Sequence, residues 1–362
     1  MNKFKFDISY VAKYLLKTKK ILNSQNRNNI IKVQFFQTTR NNIVLCGINH
    51  VLNLLANNAI KYHELKILFL KDGSFINKNE PVLTIEGKLQ NFIFLEGAID
   101  GILARESSIA TNAYLFKKAA HNKEIIYMND RSDYFFTQDY DGYSANQGGI
   151  SYFVTKAQTN LINENKNIKI IGTIPHALIQ NYFGDLNATL KGYQKTFPNQ
   201  KLVALVDYNN DVVNDSLLAA KAFKNLLWAI RIDTSPNVID KSLLKYLNKY
   251  PQSKLKGVNS LLVKKVRKIL DENNFKHVKI IVSSNLNEAK IKELEAFNSP
   301  IDYYGVGKAF NNIFCNFTCD AVLNNNIKES KYNRSLIVNK NLLNLTKKNE
   351  FISRESKKKK SS

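Results

Sequence analysis

At 362 residues with 44% hydrophobic content, the chain can bury a sizeable core, and its length predicts one large domain with a smaller companion. No run approaches the about 18 apolar residues of a membrane span, and "MNKFKFDISYVAKYLLKTKK" scatters charge through its apolar residues without a cleavage site, so a cytoplasmic protein without membrane association is expected. The net charge of +23 is spread along an Asn- and Ile-rich chain and forms a block only in "SRESKKKKSS", which favours a solvated basic surface, attractive to small anions, over a specific nucleic-acid footprint.

In chain order, "VAKYLLKTKKIL" has helical spacing, with Val11, Leu15, Leu16 and Ile21 near one face. "KVQFFQT" and "PVLTIEGKL" read as strands, the second closed by Gly87. "GINHVLNLLANN" and "FIFLEGAIDGILARESSIATNAYLFKKAAH" read as helices. Residues 1–104 therefore predict an α+β domain, and the barrel unit below is expected to span 105–310. Cys46, Cys315 and Cys319 are too few and too poorly spaced for a disulfide framework or a zinc site, and no residue set is assigned to a metal.

From residue 124 short continuous apolar runs recur: "EIIYMND", "IKIIGT", "LVALVDY", "LLWAIRID", "VKIIVSS" and "IDYYGVG". Helix-length segments such as "DSLLAAKAFKN" separate them, the pattern of parallel strands buried on both faces. Six candidate strands fall short of the usual eight, so an irregular, incomplete α/β barrel is expected. The tail at 351–362 reads as disordered.

Each run ends in polar groups: Asp130 and Arg131, Thr173 and His176, Asp207, Arg231 and Asp233, Ser283 and Ser284, Gly305 and Gly307. Ligands bind at that end of the strands in barrels and open α/β sheets alike. His176 is either a nucleophile on this rim or a helix-capping residue. Arg231 and Asp233, two apart on one strand face, either contact ligand or pair with each other. The glycines either admit phosphate oxygens to backbone N–H groups or serve turns alone.

"YLLKT", "ARESSIAT", "DGYSANQGGI", "GTIPHALIQ", "ALVDYNND", "RIDTS", "HVKIIVSS" and "YGVG", in this order over about residues 11–320, resemble nicotinate phosphoribosyltransferase, in its shorter archaeal-like branch. The resemblance implies the type II phosphoribosyltransferase fold, with the first domain completed by about residues 311–350. It implies transfer of phosphoribosyl from 5-phosphoribosyl 1-diphosphate to the nicotinate ring nitrogen in NAD salvage, coupled to ATP hydrolysis with Mg²⁺. His176 would become phosphohistidine; Asp233 would bind the ribose hydroxyls and Arg231 a carboxylate or phosphate. Thr173, Ser283, Ser284, Gly305 and Gly307 would cradle phosphate, and Tyr14, Tyr143 and Arg231 would bind nicotinate. Tyr14 would stack across the interface of a homodimer with shared sites; read from the sequence alone it fits the core of an amphipathic helix equally well.

The chain departs from that family at Ser284-Asn285, where a Gly-Gly pair is usual, which predicts a tighter or differently hydrogen-bonded phosphate loop. Lys17 replaces an arginine and Tyr134 a histidine, and Lys13 and Lys156 stand at usually acidic positions, an exchange of acid for lysine expected to weaken Mg²⁺ binding or alter ATP coupling without changing the reaction. Nicotinamide or quinolinate as acceptor, and a non-catalytic nucleic-acid-binding relative, are the rival readings. A dehydrogenase is disfavoured because no G-x-G-x-x-G follows an early strand.

Overall fold

The computed structural model describes residues 6–121, 123–163 and 167–344; the basic tail at 351–362 and the end of the 311–350 segment lie outside them. Two compact units divide the chain, one from the described residues of 1–111 and 313–362, the other from 112–312.

In the first unit, α1 (Lys13–Ser24) buries Leu15 but leaves Ile21 59% exposed. The four-residue apolar face expected from spacing is narrower because α1 packs on the short turns Leu89–Asn91 and Ile93–Leu95 rather than on a broad sheet. Strands β1 (Ile30–Gln37) and β2 (Ile43–Val44) follow. Then comes α2 (Ile48–Asn58), entered through Gly47 at φ 102°, a backbone that disfavours any side chain. Strands β3 (Lys66–Phe69), β4 (Phe75–Ile76) and β5 (Pro81–Lys88) lead to α3 (Glu96–Ala119). The helix starts after the apolar "FIFL" because Ile93–Leu95 form a 3₁₀ turn.

Asp100 on α3 has a buried Oδ1 without a partner, and burial, reinforced by Glu96, pushes its carboxyl up to about 7. An unfolded aspartate ionises near pH 4, so the native state resists ionisation and stability falls as pH rises from about 4 through 7. Asp100→Asn is therefore expected to raise the unfolding free energy by about 2–4 kcal/mol at pH 8 and leave it unchanged at pH 4. Urea titrations at both pH values check this; an equal gain at the two would rule out a buried charge as the cause.

The second unit starts with β6 (Glu124–Tyr127), α4 (Gln138–Gln147), β7 (Tyr152–Phe153) and β8 (Lys169–Ile170). It continues through α5 (His176–Asn181), α6 (Leu186–Thr196), β9 (Leu202–Leu205), α7 (Val212–Phe223) and β10 (Leu227–Ile232). It closes with α8 (Gln252–Leu255), α9 (Ser260–Glu272), β11 (Lys279–Val282), α10 (Glu288–Ala296) and β12 (Tyr303–Val306). The seven strands form one sheet ordered β8-β7-β6-β12-β11-β10-β9, with every pairing parallel. This curled sheet is an incomplete barrel. β9 is buried throughout and β11 at Ile280, Ile281 and Val282, as crossover helices on a parallel sheet require. Each such side chain removed from water contributes about 1.5–3 kcal/mol.

The chain then returns to the first unit as β13 (Phe317–Asn324), β14 (Ile327–Lys328) and β15 (Leu343–Asn344). The resulting sheet, ordered β14-β13-β1-β5-β3-β15, is antiparallel throughout, with Val33, Phe35, Leu83 and Ile85 in its core. No helix among the described residues is long and apolar enough to cross a membrane.

Candidate active site

A cleft of about 1400 Å³ opens at the C-terminal ends of the parallel strands. Its lining includes Arg131 and Asp133 after β6, Thr173 and His176 after β8, Arg231 and Asp233 at the end of β10, Ser283 and Ser284 after β11, and Gly305 and Gly307 on and after β12. Of the site residues expected from sequence, eight line this cleft. Two do not: Tyr143 is buried on α4, and Tyr14, 62% exposed, belongs to the first unit. The glycine before Tyr143 has a packing role, since a Cβ on Gly142 would lie 1.9 Å from Gln158 O.

His176 is the first residue of α5, but Pro175 occupies the cap and no side chain caps the helix. The imidazole instead meets Asp207, Nε2 to Oδ2 at 3.1 Å, with the His176 side chain 44% exposed to the cleft and that of Asp207 8%. Burial, with a contribution from Asp233, raises the Asp207 carboxyl above its usual range, and His176 opposes the shift. Asp207 Oδ1 is buried without a partner. Asp207 ends its apolar run, as the sequence showed, but its pairing with His176 was not legible there.

Arg231 makes no ion pair with Asp233 among the described residues; its Nη2 donates to Ile174 O at 3.3 Å. Burial lowers the guanidinium below its ordinary value, Asp233 and Asp207 oppose this, and Arg131 adds to it. Asp233 Oδ1 accepts from Ser283 Oγ at 2.7 Å, so that hydroxyl, 3% exposed, orients Asp233. A Cβ on Gly307 would lie 2.9 Å from Met128 O, so the glycine permits β6 and β12 to close on each other beside the cleft.

Ser284 and Asn285 have φ of 76° and 50°. The backbone thus keeps a glycine-like left-handed shape without glycines. Ser284→Gly is expected to hold or raise the unfolding free energy, by up to about 1 kcal/mol, and Ser284→Val to lower it by about 2 kcal/mol. Denaturation curves of the two variants check this. Lys13, Lys17 and Lys156 are exposed, and none of them lines the cleft.

The residues present suit Mg²⁺ carried by diphosphate, which keeps several waters and needs one or two carboxylates. Asp130, Asp133 and Asp233 line the cleft and supply such carboxylates.

Residues 18–107 match the family described as quinolinate phosphoribosyl transferase, N-terminal domain. Over 243 residues the chain is 29% identical to the nicotinate phosphoribosyltransferase of Bacillus subtilis (strain 168), covering 66% of this chain and 44% of that protein. The match thus spans less than half the length of that relative. The solved structure of nicotinate-nucleotide pyrophosphorylase from Pyrococcus furiosus is 27% identical with a TM-score of 0.78, covering 92% of this chain and 82% of that one. Human nicotinic acid phosphoribosyltransferase shares the fold at 13% identity and a TM-score of 0.66, covering 91% and 77%.

Proposed function

From a chain with the type II phosphoribosyltransferase fold and a sequence similar to nicotinate phosphoribosyltransferase, we infer an enzyme of NAD salvage that forms nicotinate mononucleotide and diphosphate from nicotinate and 5-phosphoribosyl 1-diphosphate. The observation that carries this reading is the convergence on one cleft of the His176–Asp207 pair, the oriented carboxylate of Asp233 and the glycine-bearing turn at Gly307.

The nicotinate ring nitrogen attacks the ribosyl C1 as the C1–O bond to diphosphate breaks, and the electron pair leaves with diphosphate. Asp233, held by Ser283, accepts hydrogen bonds from the ribose hydroxyls and fixes the ring. Arg231, drawn into the wall by Ile174 O, neutralises a carboxylate or phosphate. Mg²⁺, when bound, would spread the charge of the departing diphosphate; Asp130, Asp133 and Asp233, which line the cleft, would hold it. Backbone groups at Ser284, Gly305 and Gly307, with Thr173, receive the 5-phosphate.

ATP coupling proceeds through His176. With Asp207 accepting at Nε2, the proton resides there and the Nδ1 lone pair attacks the γ-phosphorus; the P–N bond forms, the bond to the β-phosphate oxygen breaks, and ADP leaves. Tyr14 of a second copy would stack on nicotinate in a homodimer.

A second reading, quinolinate as acceptor, is favoured by the family match over residues 18–107 and by three cations, Arg131, Arg231 and Lys308, in one cleft. Product formation by purified protein with 5-phosphoribosyl 1-diphosphate, Mg²⁺ and each of nicotinate, nicotinamide and quinolinate, with and without ATP, tests both. Turnover of quinolinate alone would replace nicotinate with the second reading, and turnover of none would reject phosphoribosyl transfer.

A further inference from the structure

A buried amide chain beside the cleft is not used by the reaction above. Asn129, two residues past β6 and 4% exposed, donates from Nδ2 to Asn311 Oδ1 at 2.6 Å and to Tyr127 Oη at 3.0 Å. Asn311 ends the 3₁₀ turn Lys308–Asn311 that follows Gly307, and its Nδ2 lies 3.5 Å from Asp133 Oδ2. The bond therefore joins two strand-end arms, and each arm brings a cation to the cleft wall: Arg131 after β6 and Lys308 after β12.

Two features distinguish this chain from ordinary packing. Asn129 Oδ1 is buried without a partner, a desolvation cost that an apolar residue of similar size would avoid. In addition, Arg131 and Arg231 line the same cleft, where the charge of Arg131 opposes that of Arg231 while Asp233 and Asp207 favour it. An arm that carries a cation against another cation needs a tether if the site is to be formed before an anion arrives.

We propose that Asn129 and Asn311 form a clamp that sets the spacing of Arg131 and Lys308, making them one preorganised wall for the diphosphate-bearing substrate. Both asparagines are positioning residues, acting through the two cations. The inference rests on the phosphoribosyltransferase reading.

Asn129→Ala, Asn311→Ala and the double variant test it through steady-state kinetics with 5-phosphoribosyl 1-diphosphate varied, calorimetric titration with Mg²⁺-diphosphate, and thermal melting. Each single variant should raise KM for 5-phosphoribosyl 1-diphosphate and weaken diphosphate binding about 10-fold, with kcat within about 2-fold; the double variant should be no worse in KM than either single, because the Asn129–Asn311 bond that joins the arms is lost in all three. Unchanged KM in Asn311→Ala, single effects that multiply in the double variant, or a loss confined to kcat alongside a lowered melting temperature would each overturn the clamp. Wild-type protein that binds no Mg²⁺-diphosphate would instead overturn the underlying reading, and the clamp with it.

Discussion

Replacing His176 with alanine is expected to bring the ratio of rates with and without ATP to about one, and to abolish transfer of label from γ-labelled ATP to the protein. The imidazole is 44% exposed at the cleft, hydrogen-bonds Asp207 through Nε2 and has the Tyr208 ring at 6.4 Å, so little packing is lost and the folded cleft remains available for the ATP-independent reaction. Asp207→Asn provides a sharper test. An amide of the same size can donate to Nε2, which moves the proton to Nδ1 and removes the nucleophilic lone pair, so the ATP-stimulated rate should fall by about 10²-fold or more. Label that persists on the His176→Ala protein would reject the phosphohistidine.

Asp233→Ala is expected to lower kcat/KM for 5-phosphoribosyl 1-diphosphate by about 10²–10³-fold. Two hydrogen bonds from ribose hydroxyls to a carboxylate, each contributing about 1.5–2 kcal/mol, give a loss of that size. The same substitution removes the 2.7 Å acceptor of the buried Ser283 hydroxyl and leaves it only Ile232 O at 3.5 Å among the described residues, and should lower stability by about 1–2 kcal/mol. Asp233→Asn retains an acceptor for Ser283 and should recover most of the stability but only part of the activity. Steady-state kinetics and urea denaturation of both variants check the two effects separately; a kcat/KM loss below about 10-fold would remove Asp233 from the ribose.

The barrel was legible where strands are buried on both faces, because "LVAL" and "KIIV" leave no ambiguity of pattern; all six apolar runs contain strands, but that in "IKIIGT" is the two-residue edge strand Lys169–Ile170, exposed rather than buried because it has a neighbour on one side alone. The seventh, Tyr152–Phe153, is two residues long and carries no periodicity. β13 was invisible as a strand for another reason: "FTCDAVLN" alternates poorly, and pairing with β1, more than 280 residues earlier, defines it. Rim residues were legible by position at strand ends, which placed His176, Arg231, Asp233 and Gly307 on one cleft. Partnerships were not, since His176 finds Asp207 31 residues away and Asn129 finds Asn311 182 residues away. The motif likeness points to Tyr143 as a nicotinate-binding residue, yet Tyr143 is buried on α4 away from the cleft lining, beside a Gly142 that packs on Gln158, and no local pattern records that packing.

The late arrival of β13 has a consequence for synthesis on the ribosome. β1 lies between β13 and β5, and about 230 residues separate the end of β5 at Lys88 from Phe317. At about 5–20 residues per second, β1 waits about 10–45 s with one hydrogen-bonding edge open. Through that interval the nascent chain presents a strand paired on one side alone and carrying Val33 and Phe35, the kind of edge that recruits foreign strands. The whole of 112–312 emerges meanwhile, so the later unit in sequence is the first to have all its strands, and the N-terminal sheet is completed last.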